Sequence, residues 1–273
     1  MKTKEWTQIS HNSQLDVEFL RAFYVDHAFP RHTHDYYVIT LILRGRQSYS
    51  HNGTKYFTPP RGLILINPDV SHTGEAVDEH GFEMLSLYPT TAHMQNAVLE
   101  LTGHPRGLPF FKETRIDDPW SAGPVFALHQ ALTKGSSPLE CESRFTWTLN
   151  QLVKRYADFS FTEQPLRRER KAVGRVRGYI DECFAQGITL TQLAEYVSLS
   201  PTYLLRAFRT EVGMPPYVYL ESVRIRQAQH LIKAGRSLAE TAVEVGFNSQ
   251  SHLTYRFKQI IGVTPGQYAR RLK

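Results

Sequence analysis

The chain has 273 residues, 41% hydrophobic and 21% charged, a composition that excludes a disordered protein and suffices for two folded domains. Its net charge of +6 is uneven: residues 165–273 hold 17 Lys and Arg against 8 Asp and Glu, net +9, whereas residues 1–164 hold 15 against 18, net −3. No stretch approaches the ~18 apolar residues of a membrane span, and the first residues lack the apolar core of a signal peptide, so we expect a cytoplasmic protein.

Residues 19–88 are predicted to form short strands separated by turns. Segments 38–43, 56–57 and 63–66 are rich in β-branched or aromatic residues, which favour strands. Arg44-Gly45 and Asn52-Gly53 are turn signals between them, and Asn-Gly is typical of a two-residue hairpin. Regularly spaced short strands predict an antiparallel β-barrel or jelly roll.

Three histidines in this region are candidate ligand-binding residues. The segment FPRHTHDYY places His32 and His34 on the same face of an extended strand, and the later segment NPDVSHTG supplies His72. They could line a small-molecule pocket, hold a metal ion with an open position, or be structural. Tyr36 and Tyr49 are candidate pocket walls, although aromatic residues in a barrel also form ordinary core. We predict a small-molecule effector pocket here, with no metal or other cofactor.

After about residue 90 the pattern becomes helical, and residues near 138–157 carry one apolar stripe. Its members are Phe145, Leu149, Leu152, Val153 and Tyr156. The stripe could pack against its own barrel, form the seam of a homodimer, or do both.

A mixed segment then separates the predicted domains, which we place at residues 1–160 and 173–273. Residues 161–172 combine a proline with a run of basic residues and no periodicity, which is typical of a linker. The two cysteines, Cys141 and Cys183, fall in different predicted domains and lack metal-ligand spacing. They predict reduced thiols.

The C-terminal region contains the same helix-turn-helix pattern twice, at residues 190–211 and 238–261. Leu190, Ala194 and Val197 recur 48 positions later, and Leu204, Phe208 and Gly213 recur 49 positions later. The second copy therefore has one more residue in its turn than the first copy, and the helical spacing is the same on both sides of the turn. Such a unit places its second helix in the major groove of DNA.

The helix starts are marked by capping residues. Thr189 with Gln192, Ser237 with Glu240, and Thr264 with Gln267 each fit a capping box. Ser200-Pro201 opens the first recognition helix, and Asn248-Ser249 opens the second.

The core residues of each recognition helix define an outward face. With Leu204 and Phe208 in the core, Thr202, Leu205, Arg206 and Arg209 are expected outside. With Leu253 and Phe257 in the core, the outward residues are Gln250, Ser251, Thr254, Tyr255 and Lys258. Arg and Gln can contact base edges in bidentate fashion, and Lys or Thr can hold phosphates. Each polar residue of this set, taken alone, could instead be a solvated surface position.

A predicted helix of about 20 residues joins the two units and spans about 30 Å. Successive major grooves on one face of B-DNA lie about 34 Å apart. The connector therefore has about the length needed to hold both recognition helices on one DNA site.

Residues from about 170 to 273 resemble the DNA-binding domain of the AraC/XylS family of bacterial transcriptional regulators. The resemblance rests on A-x-x-V-S-L-S-P-x-Y-L-x-R-x-F at 194–208, V-G-F-x-S-x-S-H-L at 245–253 and G-V-T-P-G-Q-Y-A-R-R at 262–271. It implies seven helices, of which the third and sixth contact bases. Thr202, Leu205, Arg206, Gln250, Ser251, Thr254 and Tyr255 fall on the implied contact positions.

The N-terminal region resembles the cupin-like sensor domain common in the same family. The similarity lies in the H-x-H loop and in the later G-x-x-x-I-N-P-x-x-x-H segment at 62–72. Where metal-binding cupins usually carry a Glu, this chain has Val38 or Ile39.

The two resemblances imply an α+β protein with a cupin-like barrel and following helices, then an all-α double helix-turn-helix domain. They predict an effector-responsive transcriptional activator and not an enzyme. Double-stranded DNA, a small effector and RNA polymerase are the expected partners, and a homodimer is possible. The alternatives are a metal-dependent cupin-type enzyme carrying a DNA-binding domain, and a constitutive DNA binder whose barrel has no ligand.

Overall fold

The computed structural model describes residues 4–51, 53–158, 169–261 and 263–270. The chain divides into two compact units, an N-terminal unit (residues 1–134 and 144–164) and a C-terminal unit (135–143 and 165–273). The predicted linker lies largely outside the described residues. The sequence did not indicate that residues 135–143 group with the C-terminal unit. Cys141 therefore shares a unit with Cys183, against the expectation, and both are free thiols.

The N-terminal unit is built on ten strands within the described residues. They are β1 Trp6–Asn12, β2 Val17–Tyr24, β3 Phe29–His32, β4 Val38–Gly45, β5 Gln47–His51, β6 Thr54–Thr58, β7 Leu63–Ile66, β8 His72–Ala76, β9 Phe82–Tyr88 and β10 Arg115–Ile116. One sheet has the order β1-β2-β9-β4-β7-β10 and the other β3-β8-β5-β6, and all pairings are antiparallel. The predicted antiparallel fold is confirmed.

The predicted strands at 38–43, 56–57 and 63–66 correspond to β4, β6 and β7. The β5–β6 hairpin closes with His51 opposite Thr54, and Gly53 has a φ of +76°. Asn52, the other residue of the predicted turn, lies outside the described residues. Gly45 has a φ of +68°, and a Cβ there would lie 1.9 Å from the carbonyl oxygen of Gly81. This turn therefore requires glycine.

Apolar side chains from both sheets form a common core. Tyr49 of the four-stranded sheet packs with Leu20, Ile42, Ile64 and Met84 of the six-stranded sheet. Inward-facing residues of two facing sheets form the core of a sandwich or jelly roll.

A buried carboxylate on one strand of the larger sheet pairs with arginines on the two neighbouring strands. Glu83 of β9, with a side chain only 2% exposed, pairs with Arg21 of β2 at 2.6 Å and Arg44 of β4 at 2.5 Å. Burial works to raise the pKa of Glu83, but the hydrogen bonds and charges of the two arginines outweigh it and lower that pKa.

Three helices come after β9, with β10 between the first two: α1 Thr91–Thr102, α2 Pro119–Thr133 and α3 Pro138–Tyr156. The predicted helix near 138–157 is thus confirmed. Phe145, Leu149, Leu152 and Val153 of its stripe are buried, and the ring of Phe145 contacts His93 of α1 edge-on at 5.1 Å. The stripe is therefore buried within the chain, and its contact with α1 joins two of the helices.

The C-terminal unit contains seven helices within residues 169–261 and 263–270. They are α4 Arg170–Cys183, α5 Leu190–Tyr196, α6 Pro201–Val212, α7 Pro216–Lys233, α8 Leu238–Glu244, α9 Gln250–Ile261 and α10 Pro265–Arg270. Helices α5 and α6 form the first helix-turn-helix unit, and α8 and α9 form the second. The connector α7 has 18 residues and so spans about 27 Å.

The capping residues act as their sequence predicts. Thr189 and Ser237 form capping boxes with Gln192 and Glu240. Ser200 accepts a hydrogen bond from the backbone of Tyr203 at the start of α6.

The internal repeat extends to backbone conformation. Ser198 in the first turn has a φ of +56°, and Gly246, 48 positions later, has a φ of +81°. Both turns therefore use one left-handed residue at the same point. A Cβ at Gly246 would lie 2.5 Å from the carbonyl oxygen of Ala185, so the second turn has no room for a side chain.

Each helix-turn-helix unit has its own apolar core. The first contains Leu190, Leu204 and Phe208, and the second contains Leu253 and Phe257. Leu139, from the first turn of α3, is fully buried in the first core. This contact explains why residues 135–143 belong to the C-terminal unit.

Candidate DNA-binding surface and candidate effector pocket

The first recognition helix, α6, differs from the expected pattern at two positions. Thr202 and Leu205, both expected to face outward, are each only 6% exposed. Leu205 joins Leu204 and Phe208 in the core, because a helix against a globular core buries a stripe wider than a single i, i+4 pair. Thr202 lies one turn before Leu205 on the same face of the helix and is buried with it. The outward placement of these two residues was wrong.

Two arginines complete the candidate surface of α6. Arg209 is exposed and Arg206 is half-buried. Both side chains are longer than threonine or leucine and carry donors suited to guanine edges and phosphates.

The second recognition helix, α9, presents its expected outward face. Gln250, Ser251, Tyr255 and Lys258 are exposed, and Thr254 is half-buried. Ser249 accepts a hydrogen bond from the backbone of His252 and caps the helix. The helix start is thus fixed by local hydrogen bonding.

A buried ion-pair network anchors the inner side of α9. Arg256 is 17% exposed, and its Nη2 lies 2.7 Å from Oε2 of Glu140, whose side chain is 3% exposed. Its Nε lies 2.9 Å from Oε1 of Glu221 on α7 in an ion pair without hydrogen-bond geometry. Sequence analysis did not single out Arg256, because the pattern around an arginine does not reveal carboxylates that are distant along the chain.

The N-terminal unit contains a cavity of about 210 Å³ lined by His32, His34, Tyr36, Tyr49 and His72. All five predicted effector-site residues therefore lie around one space. The volume is smaller than the ~300–1,000 Å³ of pockets for drug-sized molecules, so it suits a small ligand.

Backbone pairing brings the histidines together from distant parts of the sequence. His32 of β3 and His72 of β8 are directly opposite each other in the antiparallel register. The loop after β3 is tied to the loop before β8 by the Asp69 N–H, which donates to the His34 carbonyl at 2.8 Å. The ring centroids of His32 and His72 lie 4.4 Å apart, and those of His34 and His72 lie 4.8 Å apart.

The cavity favours the neutral imidazoles of His34 and His72. Burial lowers the pKa of His34, and it lowers that of His72 to about 4; in each case neighbouring histidines add to the effect. Tyr36 stacks on His34 with ring centroids 4.5 Å apart. Burial also raises the pKa of Tyr49 to about 12, so this phenol stays protonated at neutral pH.

Several cavity residues were not predicted from the sequence. Thr40, Ser86 and Tyr88 line the cavity, and Thr40 and Ser86 share a hydrogen bond of 2.7 Å between their hydroxyls. Buried Gln47 also lines it, and its Oε1 has no hydrogen-bond partner among the described residues. These residues could have been identified from the sequence only as polar residues within otherwise apolar strand segments.

Among the described residues, no helix combines the length and apolar character needed to cross a bilayer.

Comparison with known proteins accounts for both units. Residues 14–149 match the family described as the AraC-like ligand binding domain, and residues 193–271 match a helix-turn-helix domain family. The chain is 31% identical over 239 residues to the uncharacterized HTH-type transcriptional regulator YbfI of Bacillus subtilis, covering 88% of this chain and 86% of that protein. The chain belongs to the AraC family of transcriptional regulators.

The chain is also similar to a second curated protein and, in part, to a solved structure. The HTH-type transcriptional activator RhaS of Klebsiella pneumoniae is 24% identical, with 87% of this chain and 86% of that protein covered. Among solved structures, the C-terminal domain of AraT, a response regulator from Geobacillus stearothermophilus, is 33% identical over 40% of this chain and 88% of its own, with a TM-score of 0.36. As an AraC-family protein, the chain is a DNA-binding transcriptional regulator.

Proposed function

We propose that this AraC-family protein is an effector-responsive transcriptional activator that inserts α6 and α9 into successive major grooves of one site. The proposal rests on the side chains of the two recognition helices, α6 and α9. Both present long polar side chains outward and bury their apolar stripes. The length of α7, about 27 Å, is compatible with two recognition helices on one face of the duplex.

The proposed base-contacting and phosphate-contacting residues follow from exposure and side-chain chemistry. Buried Thr202 and Leu205 are not included. The proposed set is Arg206, Arg209, Gln250, Ser251, Thr254, Tyr255 and Lys258.

The activating role rests on relatives such as RhaS, which is named as an activator. An activator acts where the DNA and RNA polymerase are, which in a bacterium is the cytoplasm, so we place the protein there with RNA polymerase as a partner. The effector would occupy the histidine-lined cavity. It can control the protein only if it binds two conformations or oligomeric states with different affinity.

The experiment is a fluorescence-anisotropy titration of full-length protein with a bound promoter fragment and its single-base variants. Arg206→Ala should weaken binding by about 1–3 kcal/mol, or about 5-fold to 150-fold, and should relax the preference at one base pair. Arg226→Ala is the matched control, since Arg226 is an exposed arginine of α7 in the same unit. It should leave base preference unchanged. An unaltered base preference in Arg206→Ala would remove Arg206 from the proposed set.

A further inference from the structure

The hydrogen bonds of the three cavity histidines fix which ring nitrogen is protonated. The Nδ1 atoms of His32, His34 and His72 lie 2.8, 3.1 and 2.9 Å from the carbonyl oxygens of Pro30, Tyr36 and Val70. A carbonyl oxygen can only accept, so each Nδ1 must donate its proton. Each Nε2 therefore keeps a lone pair.

The same three side chains are close enough to share one ion. One ring nitrogen from each lies within 4.8 Å of the other two. Zn–N bonds of 2.0–2.1 Å in tetrahedral geometry place ligand nitrogens roughly 3.3 Å apart. Small side-chain rotations, closing the widest pair by about 1.5 Å, would complete the geometry.

We propose that His32, His34 and His72 bind one divalent transition-metal ion through their Nε2 atoms. Metal-binding histidines usually donate their other ring N–H to a carbonyl or carboxylate, which orients the ring. All three histidines make this bond here, each to a carbonyl within two residues. The strand pairing of His32 with His72 adds a rigid frame.

The surroundings define the ligand that such an ion would take. Besides the histidines, none of the described residues that line the cavity carries a charged side chain. An ion with three neutral imidazole ligands would keep its charge of +2 in this space. Its remaining coordination position therefore favours an anionic oxygen donor, which we assign to the class of small carboxylates.

A direct test titrates metal-free, full-length protein with Co²⁺, whose visible absorption reports coordination number and nitrogen ligands. We expect one Co²⁺ per chain, displaced by Zn²⁺. His34→Gln and His72→Gln should each weaken binding by at least about 100-fold, since even changes to outer-shell partners cost 10–100-fold. His80→Gln is the matched control, an exposed histidine of the same unit, and should bind as the wild type does.

A second measurement does not depend on the folding of any variant. In wild-type protein with ¹⁵N-labelled histidine, Zn²⁺ should shift the Nε2 resonances of three of the twelve histidines. Acetate should then change the Co²⁺ spectrum and neutral acetamide should not, because the charge selects the ligand. Equal responses to the two would overturn the carboxylate assignment.

Absence of Co²⁺ binding, or binding that survives both cluster substitutions, would overturn the metal site. Control of DNA binding by the loaded site rests on the proposed function, whereas metal binding does not. A protein that binds Co²⁺ as predicted but never a specific promoter would therefore refute the regulator and leave the metal site standing.

Discussion

Arg256 offers the most quantitative test of how the second recognition helix is held. Arg256→Met removes the cation shared by Glu140 and Glu221, whose side chains are 3% and 11% exposed. Breaking a buried ion pair by removing one partner costs about 3–5 kcal/mol, because a buried charge loses its compensation. An exposed pair contributes only about 0–1 kcal/mol. Burial at Arg256 therefore predicts the larger value.

Hydrogen–deuterium exchange is the appropriate assay, since a protein of two units need not unfold in one step. Arg256→Met should lower the opening free energy of amides in α7 and α9 by about 3–5 kcal/mol, and leave those in β4 and β9 unchanged. The double variant with Glu140→Gln should recover part of the loss, because it removes one of the two buried negative charges that Arg256 contacts. A loss below about 1 kcal/mol, the range of an exposed pair, would show that these ion pairs do not stabilise α9 as buried pairs do.

Three further predictions concern single residues. Glu83→Gln should destabilise the N-terminal unit by about 1–3 kcal/mol at neutral pH. Because the folded-state pKa of Glu83 is lowered, the difference in unfolding free energy between wild type and variant should shrink as the pH falls below the unfolded pKa of about 4.3. Urea unfolding at several pH values measures this difference, and a difference that stays constant with pH would contradict the prediction. Gly246→Ala should cost more than about 1 kcal/mol, whereas Ser198→Gly should be neutral or stabilising; thermal unfolding compares them, and equal effects would exclude the shared turn conformation. Lys258→Ala should reduce the slope of log K against log salt by about 1 without altering base preference, and an unchanged slope would mean no phosphate contact.

Local rules predicted the parts of the fold that depend on neighbouring residues. The capping boxes at Thr189 and Ser237 and the stripe of α3 depend on residues within a few turns, so spacing sufficed. Sequence analysis did not predict strand β1, because its residues are mostly exposed and do not alternate between apolar and polar. Its edge position gives the sequence no hydrophobic signal.

The sites were predicted only as far as they are local. His32, His34 and His72 were expected together because each sits in a distinctive segment, while Gln47 owes its place to the pairing of β5 with β8. Leu205 was misplaced because the width of a buried stripe depends on the partner surface. No single sequence pattern could join Arg256 to Glu140 across 116 positions.

The most direct test of sequence-specific DNA binding is to sequence the genomic DNA fragments that the purified full-length protein retains at near-physiological salt. We expect enrichment of a few promoters that share a motif with two parts about 10 base pairs apart, one for each recognition helix. With Arg206→Ala protein, only the part of the motif that corresponds to α6 should lose its enrichment. Uniform retention of genomic DNA, with no shared motif, would contradict the claim that α6 and α9 read sequence.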